Sequence, residues 1–156
     1  MKKFTRNGNE YKLNTQWGLY IPLVGSFVLL TIAGFTAIPE SSFKWWMIGI
    51  VVLLILSILN SYLIIDVDKK EIRTKTGFIK VSRTILFADL KGFTVHKTLQ
   101  FGFITTNVGL VATYRDNNGK KKDIQLAQSF FARPIQHILN EIDEIISYEH
   151  QRYTQI

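Results

Sequence analysis

The chain contains no cysteine. That excludes a disulfide framework, a thiol nucleophile and a thiolate metal site, and it fits a reducing compartment. Histidine is nearly as scarce: His96, His137 and His150 are the whole set. None of them makes a metal spacing with another His or a carboxylate on one recognisable face, which argues against zinc. No nucleophile elbow and no Gly-rich phosphate loop occurs. The residues therefore nominate no catalytic, cofactor-binding or metal-binding site, and the expectation is a protein that is not an enzyme. Acidic residues are also in short supply, 12 against 19 basic ones, for a formal net charge of +7 and a pI near 9.7. A basic surplus suits anionic lipid or nucleic acid. A Gly-aromatic RNA-binding motif and a recognition helix are both missing, so no nucleic-acid partner is expected.

Charge is absent altogether from two long stretches, Trp17–Ile38 and Lys44–Ile65, apart from Lys44 at the edge of the second. Each approaches the roughly 20 apolar residues that cross a hydrocarbon core. Trp17 and Tyr20 on the first, and Trp45, Trp46 and Tyr62 on the second, sit where an interfacial aromatic belt places them. Pro39-Glu40 follows the first run instead of a small-residue cleavage site, which argues against a cleaved signal peptide. The short link "PESSF" allows only a tight helical hairpin. Lys2, Lys3, Arg6 and Lys12 precede the first run, and Lys69, Lys70, Arg73 and Lys75 follow the second. By the positive-inside rule both termini are expected in the cytoplasm. Gly25, Ser26, Gly34, Gly49 and Ser57 are small enough to let two helices approach closely. No acidic residue or histidine falls mid-span, which argues against a proton or ion pathway.

Beyond Ile65 the pattern turns short and alternating. Strands are expected at Tyr62–Asp68, Glu71–Thr76, Ile79–Phe87, Gly92–Lys97, Phe101–Thr105, Val108–Arg115 and Lys121–Ala127. Turns are marked by Thr76-Gly77 and, most strongly, by Asn118-Gly119. Val108, Leu110, Ala112 and Tyr114 share one face of a half-buried strand. In "LQFGFITT", Phe101 and Phe103 fall on one face and read as core. From Arg133 the period becomes helical, with Ile135, Ile138, Leu139, Ile142, Ile145 and Ile146 on one stripe and Pro134 in the first turn.

The fold class expected is therefore a membrane α-helical hairpin plus a mainly-β domain. The divisions are a basic cytoplasmic N-terminus (1–16), two transmembrane helices (17–38 and 44–65), a β domain (62–149) and a tail (150–156). About seven strands followed by one C-terminal amphipathic helix resemble a pleckstrin-homology-like (PH-like) domain, a seven-stranded sandwich or barrel capped by that helix. "YLIIDVDKKEIRTKTGFIKVSRTILFADLKGFTV" looks like the opening of bacterial PH-like domains carried on membrane helices. The resemblance covers Tyr62 to Tyr148 and implies a binding scaffold at a bacterial inner (plasma) membrane. In lipid-binding eukaryotic members a basic cluster on the first hairpin grips phosphoinositides. Here Lys69, Lys70, Arg73 and Lys75 occupy that hairpin, interrupted by Asp66, Asp68 and Glu71, and the Trp usual in the final helix is missing.

Two basic groups stand as candidate contacts for anionic lipid or a partner: Lys69, Lys70, Arg73 and Lys75, and, on another turn, Lys120, Lys121 and Lys122. Trp17, Tyr20, Trp45, Trp46 and Tyr62 are the candidate interfacial aromatics. The functional expectation is a non-catalytic, membrane-anchored module without a cofactor. It would bind a protein or peptide partner, or anionic lipid headgroups. The alternative is an accessory subunit of a membrane complex that acts through its helix hairpin.

Overall fold

A computed structural model describes residues 3–100, 104–116 and 118–154. The chain opens with two short strands, β1 (Phe4–Asn7) and β2 (Glu10–Leu13), turned at Gly8 with φ +63°. Two apolar helices follow, α1 (Trp17–Ala37) and α2 (Phe43–Leu59). Then come β3 (Tyr62–Asp66), β4 (Glu71–Lys75) and β5 (Arg83–Leu86). A single 3₁₀ turn at Phe87–Asp89 leads into β6 (Leu90–Gln100), β7 (Ile104–Arg115), β8 (Lys121–Ser129) and the long helix α3 (Ala132–Thr154).

The strands form two antiparallel sheets, β1-β2-β3-β4-β5 and β6-β7-β8. One apolar cluster takes residues from both sheets and from α3. Leu63, Ile65, Ile72 and Ile85 come from the first sheet, Val108, Leu110 and Ala112 from the second, and Ile135, Ile138 and Ile142 from the helix. The alternation read along Val108–Tyr114 and the stripe read along α3 are thus both buried as expected. The Asn118-Gly119 turn also forms where expected: Gly119 has φ +74°, and its N–H donates to Asp116 O at 2.7 Å.

Three expectations need correction. The N-terminal segment is not merely a basic tail: β2 pairs with β3 in register Glu10–Asp66, Tyr11–Ile65 and Lys12–Ile64. Phe4 and Tyr11 enter the core. Burying these two aromatics is what holds so polar a hairpin in the sheet. Second, the expected helix over 44–65 and the expected strand from Tyr62 overlap, and the structure divides them at Asn60-Ser61, with the strand at Tyr62–Asp66. Asn60 caps α2 by donating from both its backbone N–H (3.1 Å) and its Nδ2 (2.9 Å) to Leu56 O. Tyr62–Ile65 are extended because β2 and β4 flank them and satisfy their backbone. Third, the strand expected over Ile79–Phe87 is reduced to Arg83–Leu86, and residues 77–82 form a loop. Elsewhere the expected strand at Phe101–Thr105 merges with the next into β7, and Phe101 and Phe103 lie outside the described residues.

The helices have their own character. α1 is long and apolar enough to cross a bilayer, and only 11% of its apolar window is buried. Leu19 and Gly34 are its buried residues, and α2 has none. Of the small residues named in the spans, Gly34 packs against α2, where a methyl would meet Lys44 Cβ at an ordinary 3.5 Å, whereas a methyl at Gly25 or Gly49 would meet nothing within 4 Å. At 1.5 Å per residue, the 17 residues of α2 make about 25 Å, at the short end for a span.

Candidate functional site at the helix–sheet junction

The junction is built from two very short connections. Residues 14–16 join β2 to α1, and residues 60–61 join α2 to β3. Because β2 and β3 are neighbours in the sheet, the helix pair leaves and re-enters the β domain at one place. A cleft of about 280 Å³ opens there. Lys12 and Lys75 supply its charge, Gln16, Gln125 and Gln128 its neutral polar groups, and Tyr20 and Tyr62 its aromatic walls. The Oε1 of Gln16 is buried in the junction and has no protein hydrogen-bond partner among the described residues. Tyr20, Ile58 and Leu59 also line a wholly apolar groove of about 380 Å³ between α1 and α2. The polar cleft and the apolar groove thus share Tyr20, Ile58 and Leu59 as a common wall.

The structure divides the candidate residues predicted from sequence. Arg73 is committed internally. Its Nη2 lies 2.5 Å from Glu10 Oε1 and 3.0 Å from Asp66 Oδ2, and its Nε lies 3.2 Å from Glu71 Oε1. The Glu10 hydrogen bond, above all, raises its pKa further against partial desolvation, with the charges of Glu10, Glu71 and Asp66 adding to it. Arg73 is thus the cation of an acidic cluster on the β2-β3-β4 face. Lys69 leans on the same cluster, 3.9 Å from Asp66, whose side chain also accepts from the Lys69 backbone N–H at 3.1 Å. Lys70 holds the turn itself, at φ +52°. Of this hairpin's four basic residues, Lys75 is the one that lines the junction cleft.

Lys120 and Lys121 are exposed at the β7–β8 turn. Lys122 pairs with Asp116 and faces a second cleft, of about 560 Å³, together with Lys80 and Arg83. The aromatics separate into two groups. Trp17, Tyr20 and Tyr62 stand at the junction, while Trp45 and Trp46 are exposed at the far end of the pair, with Trp45 edge-on to Phe35 at 6.1 Å. The 21 residues of α1 set these groups about 30 Å apart.

Gln16, Gln125 and Gln128 are not singled out by the sequence, and Lys12 enters there only among the cations that set topology. Lys12 carried a signal as the last cation before the first apolar run. The glutamines carried none, since only the pairing of β2 with β3 and the approach of β8 to α1 bring them together. Among the described residues no group of three or more His, Asp or Glu is placed to hold a metal ion. No protein-family model matches the chain, and no curated protein matches it either.

Proposed function

We propose that this chain is a non-catalytic, membrane-anchored binding module. In this reading α1 and α2 span the bilayer as a hairpin. Both termini and a PH-like β domain lie on the cytoplasmic side of a bacterial inner membrane, and the domain engages the anionic membrane surface. One observation carries the reading: two almost unburied apolar helices are clamped to a β domain by connections of two and three residues. Burial of so much apolar side chain requires a partner outside the chain, and lipid satisfies all faces of both helices at once. Aromatic groups at both ends of the pair match the two interfaces of a bilayer. The clamp holds the cleft of Lys12 and Lys75 at headgroup level, where each cation contributes about 1 kcal/mol toward an anionic surface. Holding the domain there also raises its effective concentration for anything on the membrane.

The test uses the full chain in bilayers of mixed anionic and zwitterionic phospholipid, with spin-labelled lipids of each headgroup. The anionic label is expected to be immobilised preferentially. That preference should fade with salt and weaken in Lys12→Gln, Lys75→Gln. Equal immobilisation of both labels at low salt removes the surface-binding version. It leaves a protein or peptide partner, which crosslinking of the chain in its own membrane would then identify. A reporter inserted at Ser41-Ser42 is expected on the side opposite to reporters at the termini, and reporters all on one side would overturn the two-span topology.

A further inference from the structure

The loop between β4 and β5, "TGFIKVS", interrupts what the sequence presents as a strand. Its side chains are unusually apolar for their exposure: Phe78 is 54% exposed, Ile79 92% and Val81 82%. Isolated exposed apolar residues are ordinary, but three within four positions at a loop tip form a patch that calls for a partner.

The loop's position identifies that partner. Gly77 N–H donates to Ser61 Oγ at 2.8 Å, and a Cβ at Gly77 would lie 3.1 Å from Ser57 Oγ. Gly77 has φ +82°, a conformation glycine adopts without strain. The base of the loop is thereby fixed against the last turn of α2, beside Ser57 and Ser61. On its other side, Thr76 Oγ1 donates to Gln125 O at 3.4 Å, tying the loop to β8. The loop therefore leaves the β domain beside the end of α2, and its tip is exposed.

The flanking charge is mainly basic. Lys80 lies within the apolar triplet and Arg83, which donates to Tyr114 Oη at 3.3 Å, just after it, and both line the second cleft with Lys122 and the buried Thr74. The carboxylate in that cleft, Asp123, accepts from Thr113 at 2.7 Å. Cations on long apolar stems beside an apolar tip suit the headgroup layer, where stems bury and charges reach phosphate.

We infer that residues 77–82 insert Phe78, Ile79 and Val81 into the headgroup–acyl boundary of the leaflet in which α2 ends. This loop is a third attachment of the β domain, additional to the two covalent ones. The inference rests on the reading of α1 and α2 as membrane-spanning, and the test keeps the two apart. With no cysteine in the chain, Ile79→Cys and Leu30→Cys each create a single position for an environment-sensitive dye. Each full-length protein is reconstituted in phospholipid vesicles carrying a nitroxide high on the acyl chain, and separately exposed to aqueous iodide. The expected result is a blue-shifted emission at both positions, lost to the nitroxide and retained in iodide. Loss to the nitroxide at Leu30 with loss to iodide at Ile79 would overturn the loop insertion and leave the spanning helices intact. Iodide quenching at both would overturn the anchored reading and the insertion with it. A second variant, Phe78→Ser, Ile79→Ser, Val81→Ser, is expected to keep the protein in the membrane and to increase the rotational freedom of a spin label on the β domain. Unchanged label mobility would also overturn the insertion.

Discussion

α1 and α3 are similar in length, 21 and 23 residues, yet they solve opposite burial problems. α3 sorts its residues: Ile135, Ile138, Ile142 and Ile145 are buried while Asp143 and Glu144 face water. α1 is apolar on every side: Leu19 and Gly34 are buried, yet Ile21, Leu29, Leu30, Ile32 and Phe35 are exposed. A helix with one apolar stripe is completed by its own domain. A helix apolar all round is completed by something the chain does not contain. The difference means that substitutions of the same type should have very different effects in the two helices.

The sharpest contrast is Ile142→Ala against Leu29→Ala. Ile142 is fully buried, so its truncation leaves a cavity and is expected to cost about 2–5 kcal/mol. Leu29→Ala should leave the unfolding of the β domain nearly unmoved. Thermal unfolding of both variants in one detergent measures the contrast, and equal destabilisation would break it. Next in size is Arg73→Gln, which strips the Asp66 carboxylate of its closest cation. With the Asp66 side chain 5% exposed, a loss of about 1–3 kcal/mol is expected. Hydrogen exchange at β3 and β4 would locate it.

Two smaller effects test how the N-terminal hairpin and the loop are held. Glu141 on α3 accepts from the backbone N–H groups of Lys3 and Phe4 at 3.1–3.2 Å. Glu141→Ala should cost about 1–2 kcal/mol, and proteolysis should then attack β1 first. Gly77→Ala forces a Cβ into a left-handed backbone, which costs about 1 kcal/mol, and should raise exchange in residues 77–82 before any other segment. The smallest effect is that of Asp143. Its side chain is on the exposed face of α3, yet partial desolvation raises its pKa above the ordinary carboxyl value. A folded-state value above the unfolded one means that the folded protein binds the proton more tightly. Stability therefore falls slightly as pH rises through that range, and Asp143→Asn should flatten the pH dependence there.

Legibility in the sequence followed the length of the periodic signal. The α3 stripe, the β7 alternation and the charge-free runs each span many residues, and each was read from the sequence. The β1–β2 hairpin was not, because two four-residue strands with scattered cations carry little pattern. They are strands because β3 offers its edge and because Phe4 and Tyr11 find the core. The boundary at Asn60-Ser61 was blurred for a related reason. A buried central strand such as Tyr62–Ile65 is as apolar as a membrane helix, so composition does not divide the two. The junction cleft was the least legible feature. Its residues come from β2, α1, α2, β3, β4 and β8, and no local spacing connects Lys12 with Lys75 or Gln125. Arg73 shows the reverse problem: a cation that looked available in the sequence is already matched by three carboxylates.

The insertion of the helix pair between two adjacent strands also has a consequence for how such a domain is lost. A cut within residues 14–16 leaves the main body fixed through residues 60–61. A cut at residues 60–61 leaves β1 and β2 fixed to the helices and still hydrogen-bonded to β3. Either nick alone leaves the β domain where it was. Separating it from the helices at these connections requires both cuts, or the cut at residues 60–61 together with the peeling of β2 from β3.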